Sequence, residues 1–179
     1  MDIVNANTLN REQLNQAAQI LVEAFPHSWQ TLADGVFEIT CRHTKAGTLF
    51  LAALIGDEVV GWIGMLPGYS GNVYELHPLV VRADMQQKGI GATLVGAIEK
   101  AAKEKGAKTL WLGADDERDG GETSFANADL YNNLPKRIAE FEPGTHQTAF
   151  YIKLGFKIVG VLPDANGIGK PDIFLAKAL

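Results

Sequence analysis

The chain has 179 residues, of which 46% are hydrophobic, and a formal net charge of −5. This length and apolar fraction suit a single domain with a substantial core, over residues 1–179. The acidic balance disfavours a nucleic-acid-binding surface, which needs clustered lysine and arginine, and favours cationic partners. No apolar run approaches the roughly 20 residues of a membrane helix, and no basic segment precedes an apolar one at the N-terminus, so we expect a cytoplasmic protein without a membrane partner.

The single cysteine, Cys41, cannot form an internal disulfide. No cluster of Cys or His surrounds it at the spacing of a zinc site, so no metal is expected. Because free cysteine is among the most buried residue types, we predict that Cys41 is a buried thiol.

Helix and strand patterns alternate along the chain. Helices are predicted over residues 10–24 with Asn10 as the N-cap, 30–43, 89–104 and 146–154. Strands are predicted over residues 48–55, 58–66, 73–81, 109–112, 156–162 and 171–178. Gly56-Asp57 suits a tight hairpin turn, and Gly106 ends the third helix. This order predicts an α/β or α+β sheet with helices packed on it.

A glycine-containing turn connects the strand ending at Val81 to the third helix. Such a turn presents unpaired backbone N–H groups at the positive end of a helix, where a phosphate binds well. The turn is not a Walker A loop, because Lys88 precedes Gly89 and no Gly-Lys-Ser/Thr triplet occurs. It is not a dinucleotide fingerprint either, because Leu94 stands where a third glycine is needed. A helix start without a ligand is the alternative for this stretch taken alone.

The strand over residues 73–81 contains a proline, Pro78. Proline cannot donate to a sheet ladder, so it marks an edge, a bulge or a local break. A break at this place exposes backbone groups.

Gln86-x-x-Gly89-x-Gly91 resembles the Q/R-x-x-G-x-G/A signature of the GNAT acetyltransferases, and the segment 150–156 resembles their second signature. The resemblance implies an α/β (α+β) GNAT fold, with a mixed, mostly antiparallel central sheet that is splayed at the acetyl-CoA site and flanked by helices. It also implies acetyl-CoA as the acetyl donor and a homodimer. The implied CoA contacts are Leu79, Val80, Val81, Gln86, Gln87, Lys88, Gly89, Ile90, Gly91, Ala92, Thr93 and Tyr151.

The same resemblance implies two roles at the thioester. The Leu79 amide would donate to the carbonyl oxygen, which gains negative charge when an amine attacks. Tyr151 would protonate the departing thiolate or donate a hydrogen bond to it. The alternative for Tyr151 is a core aromatic residue on an amphipathic helix. Direct transfer is expected, because Cys41 lies far in sequence from both motifs.

From about residue 50 to the end, the chain resembles a narrower group, the enterococcal-type aminoglycoside 6'-N-acetyltransferases. The similar segments are 74–81, 112–116, 129–131, 159–167 and 170–173. This resemblance implies acetylation of the 6'-amine of an aminoglycoside, hence antibiotic resistance. It implies that Glu75 holds the ammonium group or accepts its proton and that Asp115 binds or deprotonates the amine. The implied substrate pocket also includes Trp29, Tyr69, His77, Asp116 and Glu140.

The acidic segment 115–122 agrees with a polycationic substrate, because a concentrated negative field attracts one. It contains Asp115, Asp116, Glu117, Asp119 and Glu122 against Arg118 as the only base. An ordinary solvated loop is the alternative reading. For Glu75 the alternative is an outward-facing strand residue, and for His77 it is a structural role.

Gln147-Thr148-Ala149 departs from the Pro-Tyr-Glu pattern associated with the close relatives. The range of acceptors is therefore left open. One alternative function is a GNAT enzyme that acts on polyamine, peptide or protein amines. The other is a non-catalytic CoA-binding sensor.

Overall fold

The computed structural model describes residues 1–41 and 46–179, in two compact units, Met1–Leu110 with Leu179, and Trp111–Ala178. The helices are α1 (Arg11–Ala24), α2 (Leu32–Cys41), α3 (Ile90–Glu104), α4 (Leu134–Ala139) and α5 (Thr148–Lys153). The strands are β1 (Asp2–Asn5), β2 (Leu49–Ile55), β3 (Glu58–Gly68), β4 (Val73–Val81), β5 (Thr109–Asp115), β6 (Lys157–Leu162) and β7 (Asp172–Ala178). Within the described ranges, no helix has the length and hydropathy of a membrane span.

The first unit contains β1 to β4, which are neighbours in chain order and pair antiparallel. The β2–β3 hairpin turns at Gly56-Asp57, as predicted, and Gly56 has a φ of +60° that favours glycine. Trp62 of β3 is buried, and its indole N–H donates to the Ala17 carbonyl of α1 at 2.9 Å. This bond joins the sheet to the helical layer without leaving a buried polar group unsatisfied.

Two helices pack on one face of these strands, and α1 begins where the sequence predicted. The Gln13 N–H donates to Asn10 Oδ1 at 2.9 Å, and the Asn10 N–H donates to Gln13 Oε1 at 3.0 Å, which forms a capping box. α2 approaches α1 closely at Gly35, where an added Cβ would lie 2.8 Å from the Ala18 carbonyl oxygen. α3 contacts the same strands, but none of its described residues belongs to the α1–α2 core cluster, which places it on the opposite face.

β3 and β4 pair with a β-bulge at Gly64. The register shifts between Ile63 and Met65, so that two residues, His77 and Pro78, lie opposite the single residue Gly64. Of the three possibilities that Pro78 raised in the sequence, the structure therefore shows a bulge.

The bulge changes which β4 side chains face α1 and α2. On one side of it, Val80 pairs with Trp62, and both belong to the core cluster that includes α1 and α2. On the other side, Glu75 pairs with Leu66, which packs against the same cluster. Because one extra residue reverses the alternation of a strand, Glu75 and His77 share a face with Val80, which unbroken alternation would forbid.

The second unit contains β5, β7 and β6, in that spatial order, with α4 and α5. β6 and β7 are antiparallel, with a register shift between Ile158 and Gly160. β5 continues three residues beyond its predicted end at 112, to Asp115. The fold class is thus confirmed as mixed α/β with mostly antiparallel strands flanked by helices, whereas the splay of the sheet stays a prediction.

Two elements, β1 and α4, were not predicted from the sequence. β1 has only two apolar residues, Ile3 and Val4, which is too short a pattern to identify. α4 has six residues and contains Pro135 in its first turn. The predicted end of the second helix at residue 43 lies outside the described residues.

Cys41 is exposed, so the prediction of a buried thiol is wrong. α2 buries Gly35, Glu38 and Ile39, which form one stripe at helical spacing. Cys41 lies off that stripe at the last residue of the helix, and its position outweighs the general tendency of cysteine to be buried.

The bulge predicts a large effect for Gly64→Ala. The new Cβ would overlap the His77 carbonyl oxygen and lie 2.5 Å from Phe50 Cε1, both in the packed interior. We expect the free energy of unfolding to fall by about 2–3 kcal/mol in urea titrations.

Gly96→Ala is the matched control. Gly96 lies within α3, and an added Cβ there has no atom within 4 Å among the described residues. The free energy of unfolding of this variant should rise by about 0.5–1 kcal/mol, because alanine has a higher helix propensity than glycine. Equal effects of the two substitutions would contradict the bulge as described.

Candidate active site

The glycine turn gives α3 an open N-terminus. Gly89 caps the helix with a φ of +82° and without a side-chain cap, and the Thr93 N–H donates to the Gly89 carbonyl at 3.0 Å. The N–H groups of Ile90, Gly91 and Ala92 precede this first helical bond and have no intrahelical acceptor. An added Cβ at Gly89 would meet no described atom within 4 Å. The turn therefore offers convergent donors and space to an anionic group.

Side chains within the turn bond to its own backbone. Gln86 Nε2 donates to the Val81 carbonyl at 3.1 Å, and Lys88 Nζ donates to the Asp84 carbonyl at 2.9 Å. Gln87 has a φ of +59°, so its backbone is in the left-handed region, in the turn before Gly89. The Lys88 ammonium group is thus held within the turn.

Arg82 anchors the start of the turn. Its guanidinium donates to Glu58 Oε2 at 2.9 Å and to Asp84 Oδ1 at 2.7 Å. The hydrogen bond and charge of Arg82 lower the pKa of Asp84. Both partners are exposed, so this contact orders the turn and contributes little stability.

Two predicted CoA contacts have buried side chains. Val80 and Ile90 are 3% and 4% exposed and lie in the core. Any ligand contact from these two residues would use their backbone atoms. The Leu79 side chain is half-buried and, by strand alternation, lies on the opposite face of β4 from Val80.

The face of β4 that packs against α1 and α2 is called the helical face of β4. Three side chains meet beside it, and we name them the Trp29–Glu38–His77 cluster. The Trp29 indole N–H donates to Glu38 Oε2 at 3.3 Å. His77 Nε2 lies 3.7 Å from Glu38 Oε1, and the Trp29 and His77 ring centroids are 5.9 Å apart. Phe25 supports the other side of Trp29, with ring centroids 5.7 Å apart. The structure thus brings together two predicted substrate residues, Trp29 and His77.

Glu38 was not predicted as a site residue from the sequence. Its side chain is buried on α2, within the stripe formed with Gly35 and Ile39. An acid in the buried stripe of an amphipathic helix is unusual and was the available signal. Glu75 is half-buried on the same face of β4 as His77, whereas Tyr69 is 80% exposed in the turn before β4.

In the second unit, Asp115 is exposed at the end of β5. Asn166 Nδ2 donates to its Oδ1 at 2.6 Å, and His146 Nε2 lies 3.0 Å from its carbonyl oxygen. The Thr148 N–H points at His146 Nδ1 from 3.4 Å, so we assign the hydrogen to Nε2, which donates to Asp115. A buried histidine thus fixes the backbone of Asp115.

Asp116 is fully buried and organises the acidic loop. Its Oδ1 accepts the Glu122 N–H at 2.8 Å, and its Oδ2 accepts the Thr123 N–H at 2.9 Å. Its own N–H donates to the Pro171 carbonyl at 2.9 Å. Both carboxylate oxygens are occupied, so this geometry gives no support to the predicted contact between Asp116 and substrate.

Other acids of the loop are paired with bases. Glu122 Oε1 accepts from Arg118 at 3.2 Å, and Asp119 Oδ1 accepts from Lys170 at 2.8 Å. Lys170 lies 51 residues from Asp119 along the chain, so this pair could not be predicted from the sequence. The negative field predicted for segment 115–122 is therefore partly neutralised.

Tyr151 is 6% exposed on α5, with its ring edge-on to Phe150 and Phe156. Burial raises the pKa of the Tyr151 phenol well above its usual value. The phenol therefore keeps its proton throughout the neutral range and can act as a donor. Glu140 is exposed at the end of α4, and its Oε1 lies 3.9 Å from Lys136 Nζ.

Asp116→Asn should loosen the acidic loop. The amide would turn its NH₂ group toward one of the two backbone donors, so one charge-assisted bond is lost and two donors face each other. We expect about 2 kcal/mol less unfolding free energy and faster hydrogen exchange at the Glu122 and Thr123 amides. Asp119→Asn, at an exposed position, is the control and should leave both observables nearly unchanged. Unaltered exchange in Asp116→Asn would refute the structural role.

The profile of the Acetyltransferase (GNAT) family matches residues 14–123. Among solved structures, an aminoglycoside 6'-N-acetyltransferase complexed with coenzyme A is 36% identical and has a TM-score of 0.91, with 99% of this chain and 97% of that chain covered. The aminoglycoside 6'-N-acetyltransferase from Enterococcus faecium is also 36% identical, with a TM-score of 0.89 and the same coverage. An aminoglycoside 6'-acetyltransferase of type Ii is 32% identical, with a TM-score of 0.75 and again the same coverage.

A search of curated proteins gave no significant match. The profile covers more than half of the chain, and the structural similarity extends over nearly all of it. The predicted resemblance is confirmed: the chain belongs to the GNAT family of acetyltransferases.

Proposed function

We propose that this protein transfers the acetyl group of acetyl-CoA to the 6'-amine of an aminoglycoside. The observation that carries the proposal is 36% identity to two aminoglycoside 6'-N-acetyltransferases over 99% of this chain. Similarity at this level and extent favours a shared reaction more strongly than a shared fold alone does.

The turn before α3 supports CoA as a ligand. Its N–H groups at Ile90, Gly91 and Ala92 meet the requirement of a pyrophosphate for several backbone donors at a helix N-terminus. The related structure with bound coenzyme A agrees with this use of the fold. Gln86, Gln87, Lys88, Gly89 and Thr93 complete the proposed phosphate site, and Leu79, Val80 and Val81 would contact the pantetheine arm through their backbone.

The helical face of β4 supports an amine acceptor. Glu75 and His77 lie on this face, and Trp29 stands against His77. A carboxylate at Glu75 would hold the substrate ammonium and accept its proton, directly or through water. Asp115, which is fixed by His146 and exposed, is the proposed amine ligand from the second unit.

Acetyl-CoA supplies the activated acetyl group as a thioester. During transfer a C–N bond forms and the C–S bond breaks, while the amine nitrogen loses a proton and the sulfur gains one. The Leu79 amide would donate to the thioester carbonyl oxygen as its charge grows. Tyr151 would deliver a proton or a hydrogen bond to the sulfur, and its raised pKa keeps the phenol protonated so that it can donate.

Acetylation would remove a positive charge from the antibiotic and replace its 6'-ammonium group, with three N–H donors, by an amide with one. We therefore propose antibiotic resistance as the biological consequence. A homodimer in the cytoplasm is the further proposal, and it rests on family resemblance. One domain over residues 1–179 would carry the activity.

A panel of acceptors tests the proposal. Purified protein with acetyl-CoA is mixed separately with kanamycin, tobramycin, spermine and a mixed peptide pool, and release of the CoA thiol is followed. We expect kcat/KM for kanamycin to exceed that for spermine and peptides by at least about 100-fold, since specificity is a ratio of these constants. Turnover of spermine or peptides alone would remove the aminoglycoside assignment, and binding of CoA without any turnover would favour the sensor.

Tyr151→Phe should lower kcat by about 10–100-fold, since the departing thiolate loses the proton or hydrogen bond from the phenol while the aromatic contacts are kept. The ratio of wild-type to variant kcat should stay constant from pH 7 to about pH 9, because the raised pKa keeps the phenol protonated there. Tyr74→Phe is the control, a buried tyrosine on the other face of β4 from Glu75. Full turnover in Tyr151→Phe would remove the acid role.

A further inference from the structure

We propose that Glu38 is a positioning residue for the amine acceptor, because it holds the Trp29 indole and the His77 imidazole in fixed orientations. The inference rests on the proposed function, which places Trp29 and His77 in the acceptor pocket. It adds a buried carboxylate that the sequence motifs do not include.

The three residues come from separate elements of the first unit. Trp29 belongs to the segment between α1 and α2, Glu38 to α2, and His77 to β4. Glu38 is 4% exposed, and its two oxygens are directed to the two rings, Oε2 at 3.3 Å from Trp29 Nε1 and Oε1 at 3.7 Å from His77 Nε2. The ring centroids of Trp29 and His77, 5.9 Å apart, close the cluster.

The energetics favour a specific role for the carboxylate. Burying a charged or polar group costs free energy unless it is hydrogen-bonded and paired, and an apolar residue in the buried stripe of α2 avoids that cost. An indole has a single N–H donor, so a bond to Glu38 fixes the rotation of the Trp29 ring. His77 Nε2 lies 3.7 Å from Oε1, so the carboxylate attracts this edge of the imidazole and favours one orientation of the ring on the face of β4 that carries Glu75.

Positioning has a different kinetic consequence from general stabilisation. Misoriented rings would weaken acceptor binding, whereas partial unfolding would lower the active fraction and therefore the apparent kcat for every substrate. A smaller active fraction leaves both KM values unchanged, so a rise in the acceptor KM alone, with the KM for acetyl-CoA unchanged, identifies the positioning effect.

The kinetic experiment compares Glu38→Gln and Glu38→Ala with the wild type on the acceptor that it turns over best. Glu38→Ala should raise the acceptor KM by about tenfold, because the hydrogen bond to Trp29 and the charge contact with His77 are lost, and should leave the KM for acetyl-CoA unchanged. Glu38→Gln keeps the size and one acceptor oxygen, so it should show a smaller rise and should fold even if the alanine variant does not. Glu104→Gln, at an exposed position at the end of α3, is the matched control and should change neither KM.

An NMR experiment tests the geometry without substrate. The indole N–H signal of Trp29 is assigned by its loss in Trp29→Phe, and the ring signals of His77 by their loss in His77→Gln. In Glu38→Ala the Trp29 indole and His77 ring signals should both shift, whereas in Glu38→Gln the His77 signals should shift more than the indole signal. The Trp62 indole, bonded to Ala17, is the internal reference and should not move.

The outcomes separate this inference from the proposed function. If the wild type turns over an aminoglycoside but the Glu38 variants keep its acceptor KM, the Glu38 inference alone is overturned. If both KM values change equally, or the Trp29 and His77 signals stay in place, Glu38 has only a structural role. If no amine is acetylated by the wild type, the proposed function fails and the inference fails with it.

Discussion

The close approach between Gly64 and the His77 carbonyl oxygen determines how β4 presents its side chains. A side chain at residue 64 would collide with that oxygen and with Phe50, so the bulge depends on glycine. Because two β4 residues lie opposite one, the alternation reverses, and Glu75 and His77 join Val80 on the helical face. Without the bulge, a strand that buries Val80 against α1 would turn His77 away from Trp29 and Glu38. The candidate acceptor face is thus a consequence of backbone packing.

In the second unit, several acids of the segment 115–122 bond to backbone N–H groups or to bases of the protein itself. The Asp116 carboxylate accepts hydrogen bonds from two backbone N–H groups and so orders the loop. Glu122 and Asp119 pair with Arg118 and Lys170, and Asp115 stays exposed while His146 holds its backbone. Attraction of a cationic substrate would then depend on a few oriented carboxylates more than on the net charge of the segment.

The sequence predicted the elements with strong periodicity, the Asn10 cap and the glycine turn, because these depend on local interactions. It also identified Pro78 as an interruption but could not choose between an edge, a bulge and a break, since the partner strand decides. The contacts of Glu38 and Asp116 could not be predicted for the same reason, although the position of Glu38 in a buried stripe was visible in the sequence. Their partners, His77 for Glu38 and the Glu122 and Thr123 amides for Asp116, become neighbours only through the fold. The prediction that Cys41 is buried was wrong for a different reason. It rested on the general tendency of cysteine, whereas the position of Cys41 on α2 decides its exposure.

The most direct test of the proposed active site is a titration of ¹⁵N-labelled protein, first with CoA and then with kanamycin, followed by ¹H–¹⁵N correlation spectra. If the turn before α3 binds CoA, the backbone amides of residues 87–93 should shift most. Kanamycin added afterwards should shift the Trp29 indole signal and the amides around Glu75 and His77. Shifts confined to other parts of the chain would contradict the assignment of the turn before α3 and the helical face of β4 as the active site.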